Sequence, residues 1–233
     1  MTSRLVLVLA LAAPGLAHAA TAEELIAKNL AARGGADKLA AITSMHALGT
    51  TRTGGGAEAK VESWIVDGEK YRSDFTLQGM TAISSWDGRE AWRVQPFRGR
   101  KEPQMLAADD AKPLIEAADI AGPLSEWQAK GSKVEYLGTE DVDGTDAHKI
   151  RVTLKNGDTQ YVYLDPDHFL EIRIVTKRMV RGQEEESTTN LGEYEKVDGI
   201  YFPFEINRTQ FEKVELNTSI DPNLFPVPKG GSR

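Results

Sequence analysis

The residues of this chain that could ligate a metal or move a proton are few. It has four histidines and no cysteine. Asp165, Asp167 and His168 stand close enough together to offer two carboxylates and one imidazole to a metal ion. The same residues surround Pro166, and a proline flanked by aspartates between two apolar runs is turn chemistry. The turn is the stronger reading, because no second histidine stands at ligand spacing. Glu184, Glu185 and Glu186 could act as paired carboxylates, but after Arg181-Gly182 they read as a solvated loop. His46 and His148 lie in strand-like contexts without a ligand-spaced neighbour. G-x-S-x-G, S-x-x-K, H-E-x-x-H and phosphate-cradling glycine loops are all missing. Without cysteine there is no disulfide, thiolate metal site or thiol nucleophile. The sequence therefore predicts no catalytic residue, no metal site and no cofactor, and a protein that is not an enzyme.

The elements around these residues are mostly strands. In the back half, Lys133–Gly138, His148–Lys155, Thr159–Asp165, Leu170–Lys177, Ser187–Tyr194, Tyr201–Asn207 and Lys213–Leu216 follow one another with turns between. That spacing argues an antiparallel sheet or barrel. In the front half, Met45–Thr53, Ala59–Val66, Lys70–Gln78, Met80–Trp86 and Glu90–Gln95 form a meander. Asp67-Gly68 and Asp87-Gly88 are tight-turn signals. Along the back strands Tyr136, Ile150, Val152, Leu154, Leu170, Ile172 and Ile174 are expected inside, with Lys149, Arg151, Glu171 and Arg173 outside.

Two helical pieces interrupt the strands. Thr21–Arg33 carries a capping box, Thr21 with Glu24, and Gly34-Gly35 stops it. Its Leu25, Ile26, Asn29, Leu30 and Arg33 share a face. Ala36–Ile42 adds a short second turn. Residues 107–127 are helical in composition, broken at Gly122-Pro123, and are expected to cover one face of the sheet. Leu224, Phe225 and Val227 near the C-terminus can tuck against the sheet.

The first nineteen residues read as a signal peptide: Arg4, an apolar run Leu5–Ala13, then Ala17-His18-Ala19 as a cleavage site. Nine apolar residues cannot cross a hydrocarbon core that needs about 20. Residues 20–233 are then a single exported domain with no transmembrane segment, expected in the periplasm. A net charge of −7 argues against nucleic acid as a partner.

With these strands, the N-terminal Gly34-Gly35-Ala36-Asp37-Lys38-Leu39, the Trp86-Asp87-Gly88 turn with Trp92 after it, Tyr161-Val162-Tyr163-Leu164-Asp165-Pro166, Val197-Asp198-Gly199-Ile200-Tyr201-Phe202-Pro203 and Pro222-Asn223-Leu224-Phe225, the chain resembles the LolA/LolB-like superfamily of outer membrane lipoprotein-sorting proteins. The resemblance implies a mostly β, α+β fold: a curved, unclosed antiparallel sheet of about 11 strands, a half-barrel with the N-terminal and central helices across its concave face. It also implies a carrier or binding protein for a lipid, lipoprotein acyl chains or another hydrophobic ligand. Such a carrier is expected to be a monomer and to meet an envelope protein receptor. The alternative is a structural or interaction module whose interior is filled. By bulk and periodicity, Trp64, Tyr71, Phe75, Trp86, Trp92, Leu114, Ile115 and Trp127 are the candidate cavity residues. Residues 107–127 are the candidate lid, and Gly122 and Pro123 its hinge.

Overall fold

The computed structural model describes residues 20–228. The signal peptide expected over residues 1–19 lies outside the described residues. Helix α1 (Ala22–Arg33) begins at the capping box read from the sequence: Glu24 N–H donates to Thr21 Oγ1, and Thr21 N–H donates to Glu24 Oε2. Gly34 ends it at φ 121°, and α2 (Ala36–Ala40) follows. The buried face of α1 carries Leu25 and Ile26, but also Asn29 and Arg33.

Thirteen strands then form one antiparallel sheet. The first meander is β1 (Ser44–Arg52), β2 (Glu58–Val66), β3 (Lys70–Leu77), β4 (Met80–Trp86), β5 (Ala91–Gln95) and β6 (Arg100–Met105). The second is β7 (Lys133–Val142), β8 (Thr145–Thr153), β9 (Thr159–Leu164), β10 (Glu171–Val180), β11 (Gln183–Val197), β12 (Ile200–Ile206) and β13 (Thr209–Leu216). The two meet where β1 pairs β13, from Met45↔Leu216 to Thr51↔Thr209. That leaves β6 and β7 as the two free edges. The sheet has more strands than the eleven or so expected. One addition is β6, whose Arg-Lys-Glu-Pro run lacks apolar alternation and so carries no strand signal. Charge and proline suit it to an edge.

The connection from β6 to β7 holds α3 (Ala108–Ala117). The helix expected over residues 107–127 is shorter: Pro113 sits inside α3, and residues 118–132 run as turns. Buried Ala118, Ala121 and Leu124 fix that irregular stretch to the core. α3 touches β3, β4 and β5 on one side and β10 on the other, so it bridges the two meanders over the concave face.

Two apolar clusters close one end of the half-barrel. Leu39, Ile42, Ile65, Ile120, Ile200, Phe202 and Leu216 form the first. Leu25, Ile26, Leu124, Ile150, Val152, Val162 and Leu164 form the second. Alternating antiparallel turns put the β1–β2, β3–β4, β5–β6, β8–β9, β10–β11 and β12–β13 connections at the opposite end. The C-terminal segment crosses the convex face. There Phe225 is fully buried, and its carbonyl accepts from Ser85 Oγ at 2.9 Å and Trp92 Nε1 at 2.8 Å.

The β1–β13 seam is tight at Gly49, where the register shifts. A Cβ there would lie 2.4 Å from the Gln210 carbonyl oxygen and 2.9 Å from Phe211 Cα. Gly49→Val should therefore destabilise the protein by about 3 kcal/mol in urea unfolding, since backbone must move. Gly55→Val, in the open β1–β2 turn with nothing within 4 Å, should stay within about 0.5 kcal/mol. Equal effects would mean the seam is looser than described.

Candidate functional site

The concave face holds a cavity of about 800 Å³. Its walls differ in chemistry. Around the β1–β13 seam, Met45 and Ala47 of β1, Val61 and Ile65 of β2, and Phe211 and Val214 of β13 make a mostly apolar wall, broken by Ser63. On the other side, Gln160 of β9, Thr176 and Arg178 of β10, and Ser187 and Thr189 of β11 make a more polar one, with Ile174 and Leu191 among them. The roof is α3, through Pro113, Glu116 and Ala117, with Asp119, Ile120, Gly122 and Pro123 after it.

Buried charges tie this roof down. Arg33 of α1 donates through Nη1 to the Ala121 carbonyl at 2.7 Å and lies 3.4 Å from Glu171 Oε1; both side chains are 6% exposed. The Tyr194 hydroxyl donates to the Glu171 carbonyl at 2.9 Å and to its Oε2 at 3.2 Å. Burial, with the Glu171 charge beside it, pushes the Tyr194 phenol far above its ordinary range, so it remains a donor. Farther along, Arg178 Nη2 meets Glu116 Oε2 at 2.6 Å, and Gln160 donates to the same oxygen at 3.3 Å. Burial raises the Glu116 carboxyl, with Arg178 opposing. Lys130 holds both Asp119 oxygens at 2.8 Å and the Gly122 carbonyl at 3.0 Å. Burial likewise raises Asp119, opposed by Lys130.

The sequence candidates divide between the two faces. Tyr71 lines the cavity. Trp86 pairs with Tyr71 across β3–β4, shares its inner face and packs on the first cluster. Phe75 is on the same inner face, meeting Phe97 edge-on at 5.9 Å. Trp127 packs on the second cluster. Trp64 and Trp92 face the convex side. Trp64 stacks on His46 at 5.5 Å, and Trp92 lies under the C-terminal segment. Val61, Ser63 and Ile65 take the inward positions of β2, so strand alternation turns Trp64 out. Trp92, paired with outward Ser85, follows the same parity. On α3, Leu114 is half-buried and Ile115 is 44% exposed. Gly122 and Pro123 stand in the roof, where Arg33 and Lys130 hold the neighbouring carbonyls.

Glu171 reverses its expected direction. The β10 register against β9 shifts between Glu171 and Arg173, so Glu171 points inward and Ile172 packs with Tyr163 on the outer face. Such a bulge exchanges faces on either side of it. Asp165, Asp167 and His168 form the turn read from the sequence: Asp165 Oδ1 accepts from His168 N–H at 2.7 Å and Asp167 N–H at 3.0 Å. Among the described residues, no three His, Asp or Glu side chains are placed to hold a metal.

Removing one member of the Arg33–Glu171 pair leaves a buried charge uncompensated. Glu171→Leu alone should cost about 3–5 kcal/mol of unfolding free energy. Arg33→Met with Glu171→Leu should cost less than Glu171→Leu alone. Strictly additive losses in the double-mutant cycle would show the pair to be uncoupled.

No family model matches this sequence, and no curated relative matches it. Solved structures do resemble its fold. A LolA superfamily protein from Nitrosomonas europaea aligns over 89% of this chain and 98% of its own, with TM-score 0.53 and 14% identity. A domain assigned to outer membrane lipoprotein sorting from Vibrio parahaemolyticus aligns over 86% and 94%, with TM-score 0.50 and 13% identity. A DUF1329 family protein from Desulfovibrio piger aligns over 86% and 95%, with TM-score 0.51 and 14% identity. The open antiparallel sheet with helices across its concave face is thus the fold this chain shares with the LolA superfamily protein and the two other structures.

Proposed function

We propose that this protein is a carrier or binding protein for a hydrophobic ligand, a lipid or lipoprotein acyl chain, working in the periplasm after removal of residues 1–19. The observation that carries this reading is the unfilled cavity. Its volume of about 800 Å³ falls within the range of ligand sites. Each methylene moved from water to its apolar wall contributes roughly 0.8 kcal/mol, so binding needs no covalent chemistry. The polar wall opposite favours a ligand with a polar end over a plain hydrocarbon. Its Thr176, Ser187 and Thr189 would otherwise lose water without replacement when the cavity fills.

Loading requires the roof to move. Gly122-Pro123 is the hinge read from the sequence, and the flanking fastenings to Arg33 and Lys130 restrain it there. A monomer handing its ligand to an envelope receptor completes the proposal.

The test is native mass spectrometry of protein extracted from the periplasm without detergent, together with titration of an apolar fluorophore. A lipid-sized adduct that leaves on activation, and dye bound in its place, is the expected result. Val61→Trp, which adds bulk to the apolar wall, should weaken dye binding at least about tenfold while the protein stays folded. A bare mass with no dye binding would replace the carrier reading with that of a non-enzymatic envelope module.

A further inference from the structure

Among the described residues, three of the six exposed large apolar side chains gather at one end of the half-barrel, while Met105 and Leu137 lie on the edge strands β6 and β7 and Ile115 on α3. Met80, Phe97 and Met179 are each more than 40% exposed, and all three stand beside turns at the end of the half-barrel opposite the two apolar clusters. Met80 opens β4 just after the β3–β4 turn, and Phe97 tips the β5–β6 connection. Antiparallel pairing puts these two turns side by side: Ile83 of β4 faces Val94 of β5, and Leu77 faces Met80. Phe97 also reaches back to Phe75 on β3.

The β5–β6 connection continues as Arg98-Gly99-Arg100-Lys101, and every residue from Phe97 to Glu102 is exposed. Arg98, Arg100 and Lys101 form no ion pair among the described residues. Arg100 reaches only the neutral Gln104. Glu102 is the single acid in the loop. This is a local excess of positive charge on a chain whose net charge is −7. Charge alone would serve to blunt the β6 edge. Edge protection does not call for an exposed phenylalanine and methionine beside the charges. Cations flanking apolar tips are the composition of a surface that seats in an anionic lipid interface.

We infer that this corner, Met80 and Phe97 with Arg98, Arg100 and Lys101, docks the protein on an anionic bilayer. Seated there, the end of the half-barrel opposite the two apolar clusters faces the lipid. The inference does not depend on what the cavity holds.

The experiment is co-sedimentation of the purified protein with phosphatidylcholine vesicles, with and without phosphatidylglycerol, in low and high salt. Binding should require phosphatidylglycerol and weaken with salt. Replacing Arg98, Arg100 and Lys101 together by glutamine should lower partitioning about a hundredfold. Phe97→Ser with Met80→Ser should lower it about tenfold. These side chains are exposed, so thermal melts should stay near the parent. As a second readout, the emission of Phe97→Trp should shift to the blue on phosphatidylglycerol vesicles and not on neutral ones. Val61→Trp should dock as the parent does, which separates docking from ligand binding. Unchanged partitioning of the glutamine variant would overturn the inference. So would equal binding to a soluble polyglutamate that ignores Phe97 and Met80, since that would make the corner a site for acidic protein.

Discussion

The pairing of β1 with β13 is the constraint on which the rest of the structure depends. Each meander is locally simple, strand beside next strand. Joining them by their first and last strands puts β6 and β7, consecutive in sequence, at opposite edges of a thirteen-stranded sheet. Residues 106–132 must therefore travel from one edge to the other. Because the sheet is curved, the short route crosses its open side, and a roof follows from topology. Next to the seam the sheet parts. β12 and β13 are paired only at Glu205↔Gln210 and Ile206↔Thr209. Pro203, which has no N–H to give, sits where β12 has left β13. Phe202, Pro203, Phe211 and Val214 on either side of the parting all line the cavity. The hollow is thus partly a consequence of strands that separate.

A hollow of this size is tolerable because burial is concentrated elsewhere. The two apolar clusters gather α1, α2, residues 118–124 and the strand segments at the closed end. Close contact there extends to the backbone: a Cβ on Gly34 would fall 2.4 Å from the Gly199 carbonyl oxygen. With that end packed, the sheet does not need side chains filling the other end to hold its curvature. The convex face adds a separate anchorage. Arg72 forms a bidentate pair with Asp74 and donates to the Leu224 carbonyl at 2.7 Å. Trp92 and Ser85 hold Phe225 beside it.

Much of this was legible in the sequence where one local rule decides the outcome. The capping box of α1 depends on Thr21 and Glu24 alone. The Asp87-Gly88 turn forms as read, with Asp87 Oδ1 accepting from Arg89 and Glu90 N–H. Even the buried Arg33 was implicit in the helical spacing that placed it beside Leu25, Ile26 and Asn29. Other features depend on contacts distant in sequence. Strand alternation separates two faces but does not say which is concave, so bulk alone grouped Trp64 and Trp92 with Tyr71. Only the C-terminal segment, more than a hundred residues on, makes the outer face of β4–β5 a buried site. Glu171 was placed outside because alternation was carried through a bulge that the sequence does not mark. α3 ends early because residues after Ala117 are captured by the core, a tertiary override of helical composition.

The fastenings of the roof are unequal. Residues 118–124 are held at the closed end on three sides. Gly68 N–H donates to the Ala118 carbonyl at 2.8 Å, Ile120 N–H donates to Asp67 Oδ1 at 2.9 Å, and Arg33 holds Ala121. Ala118 and Leu124 are wholly buried. α3 itself is held at the open end by side-chain pairs, Arg178 with Glu116, Lys112 with Asp158 and Arg181 with Asp110. In its corner Glu116 Oε1, Gln160 Oε1 and Arg178 Nε are buried without partners. Each such atom costs about 1–3 kcal/mol, a penalty that exposure to water would relieve. Lifting α3 therefore breaks ion pairs that water can replace. Lifting residues 118–124 would expose buried alanine and leucine and strand the Arg33 charge.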